Sequence, residues 1–172
     1  PDGSLDAAFA ATGGLDGAVY AVLEQPDGRL LVAGAFHRVD GQLRRGLARL
    51  TADGELDATF APQGGFEDAF AEGRALARLP DGRILFGGLT FYSSASGVWR
   101  TKYQGREVHN LMRLNPDGSL DTTFPLLNSG TSGLVGELAV LPDGRAYVAG
   151  YFETIGNRNY KRLARLRADG AM

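Results

Sequence analysis

The sequence predicts an all-β protein, a β-propeller built of four-stranded blades of about 52 residues, three of them in this chain. Three observations lead there. An x-Asp-Gly string recurs in two phases, as Asp2-Gly3, Asp53-Gly54, Asp117-Gly118 and Asp169-Gly170, and as Asp27-Gly28, Asp81-Gly82 and Asp143-Gly144. Short apolar runs bounded by turn residues fill the intervals, with no helical periodicity. Glycine supplies 25 of 172 residues, about twice the usual share, which suits a chain that turns often.

The whole of 1–172 is one repeat array, with units at approximately 1–50, 51–114 and 115–166 and the start of a further unit at 167–172. The middle unit is longer, and its insertion is placed at approximately 89–110. Each unit reads as strand, Pro-Asp-Gly turn, strand, polar loop, strand, x-Asp-Gly turn, strand. In the first unit, 18–25 is a mostly apolar run, Pro26-Asp27-Gly28 a turn and 29–36 a second run. Proline presets φ for the turn, aspartate caps its own backbone, and Gly28, Gly82 and Gly144 take the left-handed position that closes the loop. Centring each loop on its aspartate sets Val22 opposite Val32, Leu76 opposite Phe86 and Leu138 opposite Val148. Gly34, Gly88 and Gly150 share one place in the second strand, where either a close approach between blades or a bulge needs a residue without a side chain.

The third strand is Leu47-Ala48-Arg49-Leu50, repeated as Leu111-Met112-Arg113-Leu114 and Leu163-Ala164-Arg165-Leu166. The fourth is the Leu-Asp-x-x-Phe segment at 56–60, with copies at 5–9 and 120–124. Leu-Ala-Arg-Leu, then Asp-Gly-x-Leu-Asp-x-x-Phe, then Pro-Asp-Gly-Arg and an apolar strand ending Ala-Gly-x-Phe together resemble the delta-60 repeat family of bacterial β-propellers. The resemblance covers nearly the whole chain outside the insertion. It implies a propeller of secreted or surface-associated bacterial proteins, extracellular or possible in the periplasm, and attaches no activity or catalytic residue to the repeat.

Composition narrows function by exclusion. A formal net charge of -2 gives nothing to draw the chain to nucleic acid, and no apolar run is long enough to span a bilayer. The absence of cysteine removes disulfides, thiolate zinc sites and a cysteine nucleophile. His37 and His109 fall in loops of different units, and no nucleophile elbow, zinc-protease motif or phosphate loop is present. The expectation is therefore a non-enzyme with no catalytic residues, metal or cofactor. The minor alternative of a hydrolase at the propeller axis rests on Glu24, Glu137 and Asp68 as carboxylates.

Two groups of residues stand out. The repeat places Arg49 opposite Asp57 and Arg113 opposite Asp121, pairs expected to fix strand register. The same rule leaves Asp6 without an arginine before it and Arg165 without an aspartate after it, so each end carries half of one motif. Three blades are too few to close a ring, and a protein partner, further copies or further blades are expected to complete it. The second group is the insertion, where Tyr92, Trp99, Arg100, Lys102, Tyr103, Arg106 and His109 crowd together. Rings and cations of this kind suit a contact surface for a protein, or for a glycan in a lectin-like alternative that uses aromatic loop residues. The competing reading is a longer hairpin whose rings cover their own blade. The function expected is a scaffold or protein-interaction unit of a bacterial surface or secreted assembly.

Overall fold

The structure, a computed structural model, describes residues 3–4, 9, 14–61, 65–67, 71–94, 97–126, 129–156 and 158–172, and within them the fold is strands and turns without helix. The strands run in chain order as β1 (Ala18–Glu24), β2 (Leu30–Ala35), β3 (Arg38–Val39), β4 (Gln42–Leu43), β5 (Leu47–Leu50), β6 (Glu72–Arg78), β7 (Ile84–Leu89), β8 (Phe91–Ser94), β9 (Gly97–Tyr103), β10 (Arg106–Val108), β11 (Leu111–Leu114), β12 (Leu134–Val140), β13 (Ala146–Tyr151), β14 (Thr154–Ile155), β15 (Arg158–Asn159) and β16 (Leu163–Leu166). Three antiparallel sheets recur with one topology: sheet I is β1-β2-β5, sheet II β6-β7-β11 and sheet III β12-β13-β16.

Turn chemistry sets the register. In each Pro-Asp-Gly loop the glycine amide donates to the carbonyl three residues back, Gly28 to Gln25, Gly82 to Leu79 and Gly144 to Leu141, at 2.9 Å in all three. The glycines sit at φ of +80°, +87° and +84°, where a Cβ would be strained. The pairs Val22–Val32, Leu76–Phe86 and Leu138–Val148 follow directly. Gly34, Gly88 and Gly150 each stand opposite a bulge in the first strand, at Val19/Ala21, Gly73/Ala75 and Val135/Glu137. A side chain there would run into the bulged backbone, so the bulge, and not contact between sheets, is what excludes it.

The Leu-Asp-x-x-Phe segment departs from expectation. In the two copies described it makes one bridge, Leu50 with Leu56 and Leu114 with Leu120, and then turns, so among the described residues the sheets have three strands and not four. The cause is local: the Asp57 carboxylate accepts from the Thr59 amide at 2.9 Å and hydroxyl at 2.6 Å, and Asp121 does the same with Thr123 at 2.9 and 2.6 Å. Such side-chain-to-backbone bonds compete with strand pairing and bend the chain.

Because partners across a sheet share a face, each sheet presents two sides. The side holding Leu76, Phe86 and Met112 of sheet II meets sheet I, where Phe86 lies 2.8 Å from the place a Gly73 Cβ would occupy and Ala33 2.6 Å from it. The side holding Ala75, Gly87 and Leu111 meets sheet III, and a Cβ on Gly87 would strike the Val135 side chain. One apolar cluster runs through all three sheets. A smaller one, built on Val32, Phe36, Val39, Ala48 and Leu50, fills the outer side of sheet I.

Candidate functional site

The repeated charges form a clamp between successive sheets. Arg49 Nε donates to Asp57 at 2.8 Å while its Nη1 donates to the carbonyl of Pro116, in the turn that follows sheet II, at 3.0 Å. Arg113 does the same with Asp121 at 2.6 Å and with the carbonyl of Asp169 at 3.0 Å. Each guanidinium also covers the phenylalanine of its own Leu-Asp-x-x-Phe segment, Arg49 over Phe60 at 4.8 Å and Arg113 over Phe124 at 5.0 Å. Those rings leave no room for a side chain on Gly118 and Gly170 of the following turn. A further cation joins each pair, Arg29 at 3.3 Å from Asp57 and Arg83 at 3.0 Å from Asp121. Sequence reasoning missed these two, although the arginine after every Pro-Asp-Gly was the signal. Burial acts to raise Asp121, but the Thr123 hydroxyl and amide and the Arg113 guanidinium outweigh it and bring the carboxyl down to about 2.

Register redraws the insertion. Val32 and Phe86 are equivalent and 54 positions apart, whereas Val39 and Tyr103, each the last strand residue before a two-residue turn, are 64 apart. The extra residues therefore fall at 91–100, and 101–110 is the ordinary loop hairpin of the repeat. Asp40-Gly41 turns β3 into β4 and Gln104-Gly105 turns β9 into β10, all four residues with positive φ.

This changes the reading of Tyr103. It occupies the position of Val39 and Ile155, and all three are fully buried. Its ring packs edge-on to Phe66 at 5.1 Å and its hydroxyl donates to the Gly118 carbonyl at 2.7 Å. Burial, with the nearby Asp117 charge, pushes the phenol well above its usual range. Tyr103 is thus a core residue and not part of a contact surface. Lys102 and Arg106 are exposed and His109 half-buried, all on the loop that holds Arg38 and Arg45 in the first repeat and Arg158 and Lys161 in the third. The backbones of Tyr92 and Trp99 pair across the β8–β9 ladder, as do those of Phe91 and Arg100, but the side chains of 91–100 lie outside the described residues.

The carboxylates raised for catalysis are not brought together by the register. Glu24 closes β1 at the Pro-Asp-Gly end, and Glu137 sits three places further back in β12, opposite Ala149. That offset is about 10 Å along a strand. Asp68 lies outside the described residues, as does Asp6, while Arg165 is exposed and has no carboxylate partner among them.

A family model described as "Domain of unknown function (DUF5122) beta-propeller" matches residues 25–60, 79–124 and 141–172, about two thirds of the chain. No curated protein and no solved structure matches it significantly.

Proposed function

The chain belongs to the DUF5122 β-propeller family, and from that membership we propose that it is a three-blade arc of a propeller acting as a non-catalytic scaffold or protein-interaction unit. The finer identity offered for the repeat, the delta-60 type, goes with this reading, as does a place in a surface or secreted assembly of a bacterium. Each blade has a three-stranded sheet, and sheets I and II each add a clamped Leu-Asp-x-x-Phe segment, a much reduced fourth strand.

One observation carries the proposal. Leu47, Leu111 and Leu163 hold the same place in the third strand of successive sheets, and they are 3%, 0% and 60% exposed. The first two are covered by the following sheet. At the opposite end Val22 is 61% exposed, whereas Leu138, its counterpart in sheet III, is 5% exposed against sheet II. The outer face of sheet III, and Val22 at the edge of the cluster on sheet I, thus keep the chemistry of blade interfaces, and blades of the same repeat are what fits them. The exposed Lys102 and Arg106, beside the 91–100 insertion, offer a protein partner a further surface. The glycan alternative loses a ring with Tyr103 buried, which leaves protein contact the better supported reading.

Light scattering on the purified chain tests it. Self-association through the outer faces is expected, with Leu163→Asp returning the mass to that of a monomer without loss of β-sheet signal. A wild-type chain that stays monomeric at high concentration would remove the reading.

A further inference from the structure

Between sheets I and II, at the Pro-Asp-Gly end, lies a cleft of about 600 Å³. Its counterpart between sheets II and III is about 230 Å³ and is lined by Leu79, Pro80, Pro142, Gly144 and Ala168 together with Asp81 and Asp143. The two clefts are built from equivalent positions of the repeat, yet the first carries two polar replacements. Gln25 stands where sheet II has Leu79, as their matching turn bonds show, and Arg78 stands where sheet III has Val140, since each ends the first strand of its sheet. Both line the larger cleft.

Gln25 is only 8% exposed, and its side-chain carbonyl Oε1 has no hydrogen-bond partner. A buried amide oxygen left without a donor costs on the order of 1–3 kcal/mol, so a position that accepts leucine in the neighbouring repeat bears that cost for no packing reason. Arg78 is exposed and makes no ion pair among the described residues. The other charges at the cleft are engaged: Asp81 with Arg83 at 2.6 Å, Asp117 with the Ser119 hydroxyl at 2.7 Å, Asp27 with the Arg29 amide at 3.2 Å, and Arg49 and Arg29 with Asp57 at 2.8 and 3.3 Å. What the cleft leaves unsatisfied is therefore one acceptor and one cation. Pro26 and Pro116 supply its apolar wall.

We propose that this cleft is a binding site for a small hydroxylated carboxylate, of the uronic acid class, whose carboxylate pairs with Arg78 and whose hydroxyl donates to Gln25 Oε1. A sugar-acid ring presents both groups on one rigid frame and has C–H faces for the proline wall. A cleft of this volume accommodates one or two such rings. The counterpart cleft has leucine in place of Gln25 and no arginine in its lining, so the site occurs once along the described arc. It is independent of the scaffold reading, because neither outer face contributes to it.

The test is an amide NMR titration of the full chain with D-glucuronate, with D-glucose as the neutral control. Glucuronate is expected to shift the resonances of 25–29 and 78–82, and Gln25→Leu and Arg78→Val should each weaken binding at least tenfold. Both variants copy residues that the adjacent repeats already accommodate, and an unchanged spectrum elsewhere verifies their fold. Three results would overturn the proposal: no shift with glucuronate, meaning that water alone satisfies Gln25; equal shifts with glucose; or wild-type affinity in Arg78→Val.

Discussion

At the scale of single residues, the clamp aspartates make stability depend on acid. Asp121 is held at about 2, below the 3.8 of a free carboxyl, so the folded state keeps the ionised form more strongly than the unfolded chain does. Its contribution is complete above the unfolded value and disappears as pH falls from about 4 through 2, and the shift corresponds to roughly 2 kcal/mol. Urea unfolding across that range should show the loss, and Asp121→Asn should flatten it; an equally steep acid limb in the variant would place the titration elsewhere. Arg113→Ala leaves that carboxylate buried and deprives the Asp169 carbonyl of its donor, with an expected cost of about 3 kcal/mol. The pairing of Arg49 with Asp57 and Arg113 with Asp121 was legible in the sequence, because turn length fixes which residues face each other. The burial of Tyr103 was not, because the insertion was judged by its richness in rings; the phase of Val39, Tyr103 and Ile155 against their two-residue turns held the answer.

At the scale of elements, the strands next to Pro-Asp-Gly were the most readable, since proline, aspartate and glycine determine φ, loop length and register together. Gly82→Val should cost on the order of 1–2 kcal/mol in thermal or denaturant melts, because φ of +87° strains a β-branched residue. Gly87→Ala tests a different cause. Its backbone is unexceptional, but the added methyl meets Val135 of sheet III, and overpacking of about 1–3 kcal/mol is expected. Pairing it with Val135→Ala should recover part of the loss, and failure to do so would mean that sheets II and III are not in contact there. The fourth strand was misread because alternation of apolar and polar residues does not reveal where an aspartate takes up the amide two places on. Leu56–Phe60 has a strand-like pattern and an aspartate-threonine turn inside it, and the turn prevails.

At the scale of the molecule, the succession of strands in each sheet followed from the repeat alone, while the contents of the cleft between sheets I and II did not. A repeat read by its consensus averages away departures such as Gln25 and Arg78. Position within the array gives a sharp contrast for one residue type: Leu111→Asp buries a charge between sheets and is expected to unfold the protein, whereas Leu163→Asp, compared with wild type at dilutions where both are monomeric, changes stability by less than about 0.5 kcal/mol. Circular dichroism melts of the two variants at those dilutions decide it, and equal destabilisation would show that the outer face of sheet III is covered within the single chain. The clamp has a consequence for how such a chain grows in evolution. Arg49 and Arg113 come from sheets I and II, and the carbonyls of Pro116 and Asp169 that receive them lie in the turns after sheets II and III, so sheet II with its turn carries both a plug and a socket. A tandem gene duplication copies both halves at once, and the array gains length without any new interface having to be selected.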